Sequence, residues 1–119
     1  MQGDCNAVIY RSKHFVPRNA LWSSGTNINE CFNPVLINQN DGNVVVYNNY
    51  GSPSQSALWS SGTHNGVQCY NLVMQDDGNL VLYDQGDKAL WASGTNAWFR
   101  INYLLNNIFN FNFELNIKT

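Results

Sequence analysis

The chain has 119 residues and a mass of 13.4 kDa, room for one domain, and its 44% hydrophobic content is enough to bury a modest core. Only 12% of residues are charged and the net charge is −2, with a pI near 5.4. That balance excludes an electrostatic grip on nucleic acid and a polybasic membrane-surface helix, since both need a basic patch. No run of about twenty apolar residues is present, so membrane insertion is not expected. The first residues show neither a basic n-region nor an apolar h-region, so no signal peptide is expected and the compartment, secreted or cytoplasmic, stays open.

In chain order, the sequence is a threefold repeat. Gln2 to Tyr10 (QGDCNAVIY) is followed by Ala20 to Thr26 (ALWSSGT). The same two blocks return as Gln39 to Tyr47 (QNDGNVVVY) with Ala57 to Thr63 (ALWSSGT), and as Gln75 to Tyr83 (QDDGNLVLY) with Ala89 to Thr95 (ALWASGT). A single domain over 1–119 is expected, with repeats at about 1–30, 31–66 and 67–95 and a tail at 96–119. Runs such as Val44-Val45-Val46-Tyr47 are β-branched or aromatic and lie between Gly, Asn and Ser clusters, which predicts short strands. No segment keeps a helical apolar period, so the fold class is all-β. A repeat this small cannot bury both faces of its own sheet, and three must pack around a shared axis. Trp22, Trp59 and Trp91, one per repeat, are the aromatic material for that axis.

An aromatic-then-aliphatic segment leads into the second and third glutamine blocks, at 31–38 and 69–74. The first block has none. In the tail, Phe109, Phe111, Phe113, Leu115 and Ile117 alternate with polar residues, a period-two strand with one apolar face. The expectation is that residues 108–118 pair beside residues 2–10 as the missing lead-in, completing the first sheet as in a circular permutant. The alternative is pairing with a neighbouring subunit.

All three glutamine blocks fit Gln-x-Asp-x-Asn-x-Val-x-Tyr. The five fixed residues are two apart, so an extended backbone puts all five on one face and turns the alternate apolar residues (Ala7 and Ile9, Val44 and Val46, Leu80 and Leu82) into the core. An amide, a carboxylate, a second amide, an aliphatic patch and a phenol form a set suited to a polyol: the carboxylate accepts from hydroxyls, and amides and phenol do both. Asp-Gly and Gly-Asn are also turn signals. The first copy argues against a turn alone, because Cys5 stands where Gly42 and Gly78 stand and a cysteine disfavours positive φ. Catalysis is not expected: each repeat has one motif aspartate, a glycosidase needs two carboxylates about one bond, and His14 and His64 fall in presumed loops. Three cysteines, Cys5, Cys31 and Cys69, allow at most one internal disulfide, and no C-x-x-C or histidine pairing suggests a zinc site. No metal or other cofactor is expected.

With these motifs the chain resembles the monocot (bulb-type, snowdrop-like) mannose-binding lectins, closely over residues 1–95. The resemblance implies a β-prism II, three four-stranded antiparallel sheets about a pseudo-threefold axis. It implies mannose-binding sites at Gln2, Asp4, Asn6, Val8 and Tyr10; at Gln39, Asp41, Asn43, Val45 and Tyr47; and at Gln75, Asp77, Asn79, Val81 and Tyr83. Asp and Asn would hold O2 of mannose, Gln O3 and Tyr O4, with Val against the ring carbons. It implies a disulfide between Cys5 and Cys31, leaving Cys69 a buried thiol. The implied partners are mannose-containing glycans or glycoproteins and, in a homo-oligomer with a dimer favoured, further copies of the chain. A protein-interaction or scaffolding module on the same fold, cytoskeletal or antibacterial, is the alternative.

Overall fold

The computed structural model describes residues 1–66 and 70–96. Strands β1 (Val8–Tyr10) and β2 (Ala20–Ser23) form one antiparallel pair, with a 3-10 turn at Pro17–Asn19 between them. Strands β3 (Val35–Asn38), β4 (Val44–Asn48) and β5 (Ser56–Ser60) form a second sheet, and β6 (Asn71–Met74), β7 (Leu80–Tyr83) and β8 (Ala89–Ala92) a third, each in sequence order and wholly antiparallel. The described residues thus form a three-sheet β fold with one sheet per repeat. Both lead-in segments are strands, β3 and β6, as their apolar character predicts.

Four strands per sheet were expected; the described residues show two, three and three. The front half of each glutamine block is a turn and not an extended strand. The Gln39 amide donates to Asn43 O (2.9 Å) and the Gly42 amide to Gln39 O (3.2 Å), and the other two blocks close in the same way. Only the back half of each motif joins the ladder. The expected pairing of residues 108–118 with residues 2–10 lies outside the described residues, as does Cys69.

The apolar alternation is as expected: Ala7, Ile9, Val44, Val46, Leu80 and Leu82 are all 3% exposed or less. Of these, Ala7, Val44, Val46 and Leu82 pack with Leu36 and Tyr70 in one core cluster. Trp22, Trp59 and Trp91 meet edge to face, with ring centroids 5.3 to 5.5 Å apart in all three pairs. Such T-shaped pairs align a positive ring edge with a negative face, worth about 1 kcal/mol each beyond the area they bury. A bulge on each outer strand helps to build this axis. Val46 pairs with Trp59 and Tyr47 with Ala57, so Leu58 is the extra residue, and the first and third sheets slip at the same place. A bulge breaks strict alternation, so adjacent Leu58 and Trp59, like Leu90 and Trp91, both pack against the core.

Two devices close the junctions between repeats. Cys5 is bonded to Cys31, closing a loop of 26 residues, which stabilises by roughly 3 kcal/mol. The sequence argument from Cys5 against a turn fails: Cys5 has φ +71°, in register with Gly42 (+86°) and Gly78 (+82°). A left-handed conformation costs a non-glycine residue about 1 kcal/mol, and the cross-link more than offsets it. At the next junction the Tyr70 ring packs on the backbone of Gly42, and its hydroxyl donates to Asn65 Oδ1.

A Cβ at Gly42 would lie 2.6 Å from Tyr70 Cζ and carry a positive φ as well. Gly42→Ala is therefore predicted to lower the unfolding free energy by about 3 kcal/mol. Gly62→Ala, at a comparable φ but facing open space, should cost about 1 kcal/mol. Urea denaturation of the two variants checks the difference; equal losses would show that the Tyr70 contact does not tighten the junction.

Candidate functional site

The turn and the strand that follows it assemble the same constellation three times. In each, the glutamine side chain folds back and donates to the tyrosine hydroxyl eight residues on. Gln2 Nε2 reaches Tyr10 Oη at 2.6 Å and Gln39 Nε2 reaches Tyr47 Oη at 2.8 Å, and Gln75 bonds Tyr83 likewise. This bridge leaves the glutamine Oε1 as an acceptor beside the phenol. The aspartate closes an Asx turn: Oδ1 of Asp4, Asp41 and Asp77 accepts from the amides of Asn6, Asn43 and Asn79, at 3.0 Å each time. Its second oxygen is left over.

The asparagine is more fully committed. Asn43 Oδ1 accepts from Ser61 Oγ (3.1 Å), Gly62 N (3.1 Å) and Thr63 N (3.3 Å). Asn6 does the same with Ser24, Gly25 and Thr26, and Asn79 with Ser93, Gly94 and Thr95. The serine hydroxyl also accepts from the amide of the residue after the asparagine, Ala7, Val44 or Leu80. With its oxygen saturated, the asparagine can offer a ligand only its Nδ2 donors; among the described residues no hydrogen bond engages Nδ2 of Asn6, Asn43 or Asn79. The Ser-Gly-Thr blocks are thus part of the site's frame, a role the sequence reading missed although one such block follows each motif.

The valines depart from the expected surface. Val8 is half-buried, but Val45 and Val81 are only 3% exposed, because each sits on a central strand with a neighbour on either side. They therefore lie as a buried floor rather than an open apolar face. Of the fifteen candidate residues, the structure groups each set of five along one turn and strand. The three sets lie in three different sheets and do not converge on one cleft.

The copies differ in one electrostatic respect. His64 follows the second Ser-Gly-Thr, where Asn27 and Asn96 follow the first and third. Its Nδ1 lies 2.9 Å from Asp41 Oδ2, the oxygen that the Asx turn leaves over. The Asp41 carboxyl is held below its ordinary value: desolvation is the largest single influence and pushes it up, but the hydrogen bonds from the Asn43 amide and His64 and the charge of His64 together outweigh it. The sequence signal for His64 was its break with the asparagine at the other two sites.

No protein-family model and no curated protein matches the sequence. Among solved structures, the chain is similar to novel monomeric monocot mannose-binding lectins from Gastrodia elata, at 44% identity over 81% of this chain and 77% of that one, with a TM-score of 0.66. It is similar to the Japanese Marasmius oreades lectin at 38% identity, covering 66% of this chain and 59% of that one, with a TM-score of 0.51. The mannose-specific agglutinin from snowdrop (Galanthus nivalis) bulbs, complexed with methyl α-D-mannoside, is 37% identical over 52% of each chain, with a TM-score of 0.46.

The Asp41–His64 contact can be read directly. A carboxyl lowered by folding adds stability that is in place above its unfolded value and is lost as pH falls through the folded one. Replacing His64 by Asn, as at the sister sites, should move the Asp41 midpoint upward in a carboxyl-carbon NMR titration, toward its ordinary 3.8. A midpoint indifferent to the substitution would mean that His64 does not engage the carboxylate in solution.

Proposed function

The chain belongs to the monocot mannose-binding lectin family, and on that premise we propose that it binds terminal α-mannose through up to three Gln-x-Asp-x-Asn-x-Val-x-Tyr sites. The observation that carries the proposal is the threefold recurrence of one hydrogen-bond set that leaves the same atoms facing outward, with one difference: in the second copy His64 already engages Asp41 Oδ2. Each copy presents an asparagine Nδ2, an aspartate Oδ2 (shared with His64 in the second), a glutamine Oε1 and a tyrosine hydroxyl. A row of donors and acceptors of this kind matches adjacent sugar hydroxyls, each of which donates once and accepts. The aspartate oxygen and asparagine amide together take the axial O2, the glutamine O3 and the tyrosine O4, while the valine floor meets ring C–H groups.

Mechanism follows from the frame. Because the turn, the Asn Oδ1 bonds and the Gln–Tyr bridge are formed before ligand arrives, little conformational entropy is lost on binding. Because the sites are shallow, each still binds a monosaccharide weakly, at about millimolar Kd. Useful avidity comes from several sites on one branched glycan or surface, where the second contact is intramolecular. Sites in three sheets of one chain suffice for this. The Gastrodia lectins are described as monomeric; a homodimer of this chain would double the number of sites. Neutral amides and one carboxylate supply the contacts, so binding is metal-independent. The chain is a binding protein and not an enzyme.

A calorimetric titration with methyl α-mannoside, with a galactoside as control, should give saturable, mannose-selective binding at about millimolar Kd. The triple variant Asp4→Ala, Asp41→Ala, Asp77→Ala should lose it while remaining folded. Absence of binding by folded wild-type protein, or its survival in the folded triple variant, would sink the proposal.

A further inference from the structure

The three sites share a frame but not a border, and the difference lies beside the tyrosine. The loops after Tyr10 and Tyr47 are long and each carries an aromatic ring to the site. Phe15 meets the Tyr10 ring edge on, with centroids 5.3 Å apart. Tyr50 lies 5.8 Å from the Tyr47 ring at a tilt of 46°. Both stay open to water: Phe15 is 64% exposed and Tyr50 38%. In the third repeat the gap to the next tryptophan is shorter, and a tight turn over Asp84 to Lys88 replaces the loop. It presents Asp84, Asp87 and Lys88 and no ring.

We propose that Phe15 and Tyr50 are stacking platforms that extend the first and second sites to a second hexose residue of an oligosaccharide, and that the third site lacks this extension. The inference rests on the mannose-binding reading of the primary sites and adds to it. An apolar ring two-thirds exposed on a chain this polar gains nothing from water, and its contact with Tyr10 leaves most of it uncovered. Its remaining face matches the C–H-bearing face of a pyranose, whose hydrogens carry the partial positive charge that the negative ring face attracts. Position also fits. Each ring adjoins the phenol that closes one end of the proposed hydroxyl row.

The loops are built to hold the rings there. Asn19, 7% exposed, ties the first loop together: its Oδ1 accepts from Arg11 Nε (2.8 Å), and its Nδ2 donates to Ser12 Oγ (3.1 Å) and His14 O (2.9 Å). In the second loop the Asn33 side chain donates to Tyr50 O (2.7 Å), and Gly51 donates to Gln55 Oε1 (2.9 Å). Asn49 and Gly51, with φ of +53° and +81°, turn the chain on either side of the tyrosine. Loops fixed by buried or reciprocal bonds present a ring without spending ordering entropy on binding.

The test uses full-length protein with one live site at a time, made by Asp→Ala at the other two motifs. Methyl α-mannoside and the α1,3- and α1,6-linked dimannosides are titrated by calorimetry, and the readout is the ratio of dimannoside to monosaccharide affinity. The first and second sites should favour at least one dimannoside by about fivefold, and the third should show a ratio near one. Phe15→Ala and Tyr50→Ala should each bring the ratio of its own site to about one, and Phe15→Tyr should keep it. A ratio that survives Phe15→Ala and Tyr50→Ala, or a third site with the same preference, would overturn the platforms while leaving the primary sites intact. Failure to bind even methyl α-mannoside would instead remove the mannose reading on which they rest.

Discussion

Each repeat hangs on one carboxamide oxygen. Asn6, Asn43 and Asn79 sit at the junction between the turn of the glutamine block and the following strand, and each Oδ1 collects three donors from the Ser-Gly-Thr segment. That segment directly follows the strand bearing the axial tryptophan. The same side chain therefore joins the aromatic centre of the molecule to the polar rim where ligand would sit. An unmet amide or hydroxyl in a partly buried site costs on the order of 1–3 kcal/mol, so losing this acceptor leaves three donors to find new partners at once. The turn, the serine bond to the next backbone amide and the placing of the aspartate all depend on it.

Saturation of the oxygen also restricts the chemistry. A carboxamide normally offers a ligand both donor and acceptor character; here it offers donors alone. Acceptance then falls to the glutamine Oε1 and to the aspartate, whose inner oxygen is likewise spent on the turn. The polar edge that remains has a fixed order of donors and acceptors, which a flexible asparagine and aspartate could not supply. The second site adds His64 to this edge, so a ligand hydroxyl there meets a carboxylate oxygen that already has a partner.

What could be read from the sequence follows from periodicity. The repeat, the all-β class, the inward turn of Val44 and Val46, and the tryptophan axis all follow from spacing that a linear pattern displays. The turn at the front of each motif was mistaken for strand because Gln-x-Asp-x-Asn has the period of a strand and the composition of a turn. Cys5 then appeared to decide for the strand, since its cost in a left-handed conformation is visible from residue type, whereas the cross-link that offsets it depends on where Cys31 lies in space. The burial of Val45 and Val81 was hidden for a related reason. Alternation tells which way a side chain points, but how deep it lies depends on the strands to either side.

The frame also explains where the three sites are free to differ. Changing an asparagine, a serine or the turn glycine disturbs bonds shared with the core, and those positions are the same in all three copies, Cys5 excepted. The residue after the Ser-Gly-Thr threonine and the loop after the motif tyrosine touch the rim without supporting it. There the copies diverge, to His64 against two asparagines and to Phe15, Tyr50 or a charged turn. A binding module of this build can hold its monosaccharide chemistry constant while varying what each site accepts next to it. On the binding reading proposed above, three sites with different borders on one chain would favour a branched glycan with unlike arms over a uniform one, because each arm would gain most at the site whose border it matches.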